Sequence, residues 1–288
     1  MNINRYNIVS KILSENNLYY TEKDFNTNDS ELFSSRLSVA ASKQNLIVHN
    51  LGFVKDFPLL LLTPTQFISA PNILIAAGFH GDEPAPCWAL LRILEKSQTL
   101  LKTCNVSFLP CVNSTGFKES KRNNMFNENP NRGFAYYFDK PMAKSDTIIS
   151  AEGKLLLQHM NLIKDLSRDA FLTMHEDDTK DKFYLYSTRA KRTSQELENK
   201  MLKDGVETFG TFEKEVIEKN SKKQEANIVN GIARNIQDGS FEDFLFRKIG
   251  IPYCFVTETP TKKDFYKRVW VNMKLIKTFI QHFGVVEK

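Results

Sequence analysis

The sequence predicts an α/β fold, a three-layer α/β/α sandwich around a mixed, mostly parallel sheet. Three observations predict it. Short apolar runs recur along the chain, longer amphipathic segments separate them, and ionisable residues collect where the runs end. A strand that is apolar on both faces belongs in a parallel sheet with helices covering each side.

Taken in order, "NLIVHNLGF" (45–53) and "FPLLLLTP" (57–64) read as a hairpin or edge pair that extends the sheet. "NILIAAGF" (72–79), "VSFLPCV" (106–112), "AFLTM" (170–174) and "PYCFVTE" (252–258) read as buried strands. Helical spacing appears at 84–101, 151–168, 191–208 and 265–283. In the last, Val269, Met273, Ile276 and Ile280 form one apolar stripe. Pro84 suits a first helical turn. The stretch 113–150 is rich in Asn, Lys, Gly and Pro and reads as a long functional loop. With no repeat and no low-complexity linker, residues 1–288 read as one catalytic domain. Residues 1–70 supply its N-terminal helix and edge strands.

Composition narrows the function classes. The chain has 288 residues, 41% of them hydrophobic, and a net charge of +5. No dense Lys/Arg block marks a nucleic-acid partner, and no apolar run is long enough to span a bilayer. Cys87, Cys104, Cys111 and Cys254 lie in or beside apolar segments without CxxC spacing, so they read as reduced buried thiols. Residues 1–20 lack the apolar core and cleavage site of a secretory signal, so a cytoplasmic location is expected.

Ligands bind beyond the carboxyl ends of strands in an open parallel sheet. Three predicted strand ends carry ionisable groups: His80 and Glu83 in "GFHGDE", His175 in "TMHEDD", and Glu258 in "VTETP". Two histidines and a glutamate match the donor set of catalytic zinc, which keeps a fourth position open. Glu258 is then the candidate to take and return a proton. Blander alternatives stand beside this. Glu83 favours a helix N-terminus through its charge, and Asp82 suits the cap position. His49, His159 and His282 lack such company and read as structural or solvated.

"HGDE", "VNSTGF", "KRNNMFNENPNRGF", "TMHED", "DGSFEDF" and "TETP", in that order, resemble the zinc carboxypeptidases. The resemblance runs from about residue 72 to 260 and is nearest to bacterial short-loop members such as murein peptide amidases. It is shared with the related aspartoacylase and succinylglutamate desuccinylase group. It implies one Zn2+ per chain, held by His80, Glu83 and His175, with Glu258 as general base. It further implies that Arg122 stabilises the oxyanion and that Asn131 and Arg132 hold the substrate's terminal carboxylate. By the same resemblance, Phe241, Glu242 or Asp243 faces the side chain next to the scissile bond, where an acid favours a basic or amine-bearing residue. The plainer alternative has Ser240 capping a short helix over 241–249, with both acids solvated.

Two departures stand out. Asn129 occupies the place of an aspartate that supports a zinc histidine in the family. No tyrosine precedes Gly239-Ser240, where pancreatic-type members carry a mobile phenol; Tyr184 and Tyr186 lie near His175 in sequence instead. The expected function is hydrolysis of an amide or peptide bond beside a free carboxylate. The alternatives are an N-acyl amino-acid deacylase, with an N-acyl amino acid as substrate, or a peptide-binding module without catalysis.

Overall fold

The computed structural model describes residues 26–134, 148–189, 195–219, 224–234 and 238–284. In chain order the strands are β1 (Leu46–Val54), β2 (Phe57–Pro64), β3 (Asn72–Ala77), β4 (Asn105–Leu109) and β5 (Ala170–Asp177). They continue with β6 (Tyr184–Arg189), β7 (Lys214–Lys219), β8 (Gln224–Val229), β9 (Ile232–Ala233) and β10 (Tyr253–Pro260). The helices are α1 (Ser30–Lys43), α2 (Pro84–Lys96), α3 (Ser114–Glu119), α4 (Ala151–Gln158) and α5 (Met160–Leu166). After them come α6 (Gln195–Phe209), α7 (Phe241–Phe244, widening into a π turn over Leu245–Ile249) and α8 (Phe265–Phe283).

One mixed sheet runs β1-β2-β4-β3-β5-β10-β6-β9-β8-β7. Its centre, β4-β3-β5-β10, is parallel throughout. Alternation along these strands divides the core in two. Ile73, Ile75 and Ala77 face the layer of α1, α2, α6 and α8, whereas Leu74 and Ala76 face that of α4, α5 and α7. Both faces of β3 are therefore buried, as its unbroken apolar run requires.

The four buried strands and the edge pair expected from the sequence are present, and α8 spans the expected residues. The differences have local causes. The segment 84–101 ends as α-helix at Lys96 and resumes only as a 3-10 turn at Leu100–Lys102. The segment 151–168 splits at His159, whose ring Nδ1 approaches the Leu155 carbonyl at 3.0 Å and competes for it with the helix backbone. Residues 191–194, within the third expected helix, and 1–25 lie outside the described residues. The loop expected over 113–150 contains α3, whose N-cap is Asn113. Strands β6 to β9 extend the sheet in a way the apolar pattern did not predict; β6 joins β10 antiparallel and pairs with β9.

All four cysteines are buried and free. His49 Nε2 meets Thr63 Oγ1 at 2.9 Å, well away from the strand ends that matter below. Among the described residues no helix is long and apolar enough to cross a membrane.

Candidate active site

The site grows from the carboxyl edge of β3, β5 and β10. After Ala77 the chain turns at Gly78, whose φ of +69° is left-handed; a Cβ there would also lie 2.6 Å from Cys87 Sγ. The turn brings His80 over the sheet and leads into α2, with Glu83 at the N-cap position and Pro84 following. Glu83 does not cap. The free amide of Ala85 is taken instead by Glu176 Oε2 at 2.9 Å, reaching across from β5. Glu83 is thereby released to turn both carboxylate oxygens toward histidine.

Glu83 Oε1 lies 2.7 Å from His80 Nδ1, and Glu83 Oε2 lies 2.7 Å from His175 Nδ1. The two Nδ1 atoms are 3.2 Å apart. Donor atoms of His80, Glu83 and His175 fall within 4.8 Å of one another, and all three residues are buried. The far nitrogens are engaged elsewhere: His80 Nε2 faces Asn129 Oδ1 at 3.2 Å, and His175 Nε2 faces Glu242 Oε1 at 3.5 Å. Each ring thus turns its Nδ1 to the cluster and its Nε2 to the surrounding protein. Two inward imidazoles and a carboxylate fit a divalent transition-metal ion with room for a further ligand.

The titration of the group agrees. Burial opposes charge on all three side chains. On His80 it wins, holding the pKa down at about 4. On His175 the carboxylates of Glu83, Glu242 and Glu258 outweigh burial, raising it to about 10. Glu83 itself, although buried, is held well below the usual carboxylate range by the two imidazoles. The surrounding carboxylates thus favour the charged form of His175.

Glu258 comes to the cluster through backbone register. It pairs with His175 on the parallel neighbour β5 and with Tyr184 on the antiparallel neighbour β6. Register partners share a face, so His175, Glu258 and Tyr184 form one row across three strands. Tyr186, Val256 and Thr188 continue the same floor. The Tyr184 hydroxyl donates to Asp177 Oδ2 at 2.5 Å. Burial, and then the Glu258 charge, push both tyrosine phenols well above their ordinary pKa, so they stay protonated. A cavity of about 290 Å³ opens above this floor, walled by Arg122, Arg132, Asp82, Asp178 and Asp243 among others.

Arg122 stands beside the cluster, its Nη1 donating to Glu83 Oε1 at 3.1 Å. The "VNSTGF" segment places it: Asn113 Oδ1 caps α3 at Gly116 while Asn113 Nδ2 donates to the Arg122 carbonyl at 3.0 Å. Arg132 lines the cavity and approaches Asp238 Oδ2 at 3.4 Å. Asn131 is buried; its Oδ1 accepts from the Phe241 amide at 2.9 Å and its Nδ2 points to His175 and Glu242.

In the "DGSFEDF" segment Ser240 is the N-cap of α7, accepting from the Asp243 amide. Phe241 is fully buried, with its ring 5.1 Å from Phe134 and 5.7 Å from both Phe79 and Phe171. Glu242 is 3% exposed and faces His175. Asp243, also buried, pairs with Arg247; burial raises its pKa to about 6 despite that pairing. Neither acid is solvated. Glu176 and Asp177 carry no signal in the sequence, because an acidic residue beside a histidine reads as surface. Their value shows only once the sheet places them.

Residues 69–231 match the catalytic domain of the succinylglutamate desuccinylase/aspartoacylase family, more than half of the chain. The chain belongs to this family. The matched span holds His80, Glu83, Arg122 and His175 and stops before Glu242 and Glu258. The chain is also similar to a crystal structure of a candidate metallopeptidase from Shewanella denitrificans. That protein is 33% identical, with a TM-score of 0.79, 90% of this chain and 92% of the other being covered. A candidate metallopeptidase from Shewanella baltica is 32% identical, with a TM-score of 0.82 and coverage of 92% and 97%. A metallo-carboxypeptidase from Pseudomonas aeruginosa, in complex with (2-guanidinoethylmercapto)succinic acid, is 14% identical. Its TM-score of 0.58, over 86% of this chain and 67% of the other, shows the shared fold. No curated protein matches the chain. Fold, family and buried ligand cluster together are those of a metal-dependent hydrolase.

Proposed function

We propose that the protein, as one catalytic domain, is a zinc-dependent hydrolase that cleaves an amide bond beside a free carboxylate. The observation that carries the reading is the pairing of Glu258 with His175 in neighbouring parallel strands, which sets a carboxylate next to the His80–Glu83–His175 cluster. Zinc held by those three side chains supplies Lewis acidity toward the amide carbonyl and an acidified water.

The chain's own groups do the rest. Glu258 accepts the proton from the attacking water and returns it to the leaving amine. Arg122, half-exposed at the cavity rim, meets the negative charge that develops on the carbonyl oxygen. Arg132 binds the substrate carboxylate as a planar fork, exchanging Asp238 for it. Asn131, committed to Phe241 and Glu242, fixes the loop that carries Arg132. The acidic wall, with Asp82, Asp178 and Asp243, favours a substrate that also bears an amine.

Two substrate classes meet this description. A short peptide is the first. An N-acyl amino acid is the second, supported by the family match, since succinylglutamate and acylaspartate chemistry also cuts an amide beside a carboxylate. The test is a hydrolysis screen of short and γ-linked peptides beside N-acetyl and N-succinyl amino acids, with and without chelator. Activity is expected to vanish with chelator and return with zinc. Glu258→Gln is expected to lower kcat by about 10²–10⁴-fold with bound metal unchanged. Full activity in metal-free protein overturns the reading. A Glu258→Gln variant as active as the parent removes the general base, and ligand binding without turnover in either form leaves a peptide-binding module.

A further inference from the structure

We infer that Glu242 is the positioning residue that holds His175 as a metal ligand, and that Asn129 performs the same task more weakly for His80. The inference rests on the metal reading above and deepens it. It assigns a role to a buried carboxylate at the wall of the cavity.

Each imidazole has one nitrogen for the ion and one for the protein. Both Nδ1 atoms are turned toward Glu83, at 2.7 Å each. Each Nε2 must therefore donate, and what accepts decides how firmly the ring is held. The acceptor at His80 is the neutral amide oxygen of Asn129, 3.2 Å away and shared with the Asn131 backbone amide at 2.9 Å. The acceptor at His175 is the Glu242 carboxylate at 3.5 Å. Asn131 Nδ2 also comes within 3.2 Å of His175 Nε2. The Phe241 amide takes Asn131 Oδ1, so the side chain presents N–H groups on this side and donates to Glu242 Oε1 at 3.3 Å. Asn131 thus braces the carboxylate that receives the ring.

A favourable charge at the start of α7 does not account for Glu242. An acid serves that purpose in solvent, and the helix is only Phe241–Phe244 before it widens. Glu242 is instead 3% exposed, at the cavity wall against His175. A buried carboxylate needs a partner, and here the partners are His175 Nε2 and Asn131 Nδ2. The two ends of the metal site are therefore unequal, with the anionic support on the β5 side.

The experiment measures zinc affinity of the full chain by competition with a chromophoric chelator, for the parent, Glu242→Gln, Asn129→Asp and the double variant. Circular dichroism confirms that each metal-free variant is folded. Glu242→Gln is expected to weaken zinc by about 10–100-fold, Asn129→Asp to tighten it, and the double variant to recover much of the loss. A merely structural role for Glu242 has no reason to be rescued by a carboxylate on the other histidine. The inference is overturned if folded Glu242→Gln binds zinc as the parent does. If that variant does not fold, failure of Asn129→Asp to tighten binding overturns it equally. A parent that binds no zinc removes both this inference and the proposed function, whereas an unchanged Glu242→Gln removes this inference alone.

Discussion

His175 and Glu176 are neighbours on β5 that point to opposite faces of the sheet. On the first face, His175 joins a row of polar groups under an open cavity, with Glu258 and Tyr184 beside it. On the second, Glu176 is buried and closed off. Its Oε2 accepts from the Ala85 amide, and its Oε1 takes Arg268 and, at 3.4 Å, Thr259. Both faces carry buried charge. One sets two imidazoles against Glu83; the other sets Arg268 against Glu176. The comparison shows why Glu83 is free to face both histidines: Glu176 takes the Ala85 amide at the start of α2, so Glu83 need not.

The largest expected effect tests the closed face. Glu176→Ala leaves Arg268 buried without its carboxylate and removes the acceptor at the start of α2. Stripping one partner from a buried pair costs about 3–5 kcal/mol. Urea unfolding of the metal-free chain should show that loss, and Glu176→Ala/Arg268→Met should recover part of it. If the single variant unfolds like the parent, the closed face is not the tie described here.

The open face should instead respond to pH. Above pH 4, where His80 is already neutral in the folded chain, its unfolded form still binds a proton up to pH 6.5, so stability rises with pH across that interval. For His175 the order reverses: the folded form keeps its proton to about pH 10 while the unfolded form loses it near 6.5. Its stabilising contribution is complete below pH 6.5 and fades as pH climbs to 10. The histidine part of the metal-free stability curve therefore peaks near pH 6.5. An ion must also displace the His175 proton, so zinc binding at pH 7–8 should release about one proton. Calorimetry in buffers of different ionisation enthalpy reads that number directly; none released would mean that His175 is neutral in the free protein.

Much of this was legible in the sequence, for reasons that differ by residue. Ile73, Leu74, Ile75, Ala76 and Ala77 are buried on both faces of a central strand, so an unbroken apolar run announces them. His80, His175 and Glu258 interrupt or end such runs, and polar groups at those points are conspicuous. No apolar run announces the "YLYSTR" strand, because Tyr186 and Thr188 lie on the cavity floor and Ser187 interrupts the buried side. The resemblance turns Glu242 toward the substrate, and the local sequence alone offers a capped, solvated turn; neither announces its contact with His175. Only the approach of His175 across the fold explains an acid buried there.

The smallest expected effect sharpens the boundary between the two faces. Tyr184 belongs to the open row by register with Glu258, yet its hydroxyl turns to Asp177 Oδ2 at 2.5 Å. Asp177 Oδ1 meanwhile accepts from the Thr179 amide at 2.7 Å, and the Asp177 carbonyl accepts from the Thr261 amide, just past the end of β10. The phenol therefore ties the ends of β5, β6 and β10 together while its ring walls the cavity. Tyr184→Phe keeps the ring and removes the tie, which should cost about 1 kcal/mol in urea unfolding. If the hydroxyl acts only through Asp177, KM and metal affinity should stay near the parent's. A fall in kcat of a hundredfold or more, with stability unchanged, would move Tyr184 from the scaffold to the chemistry and place the boundary one strand farther out.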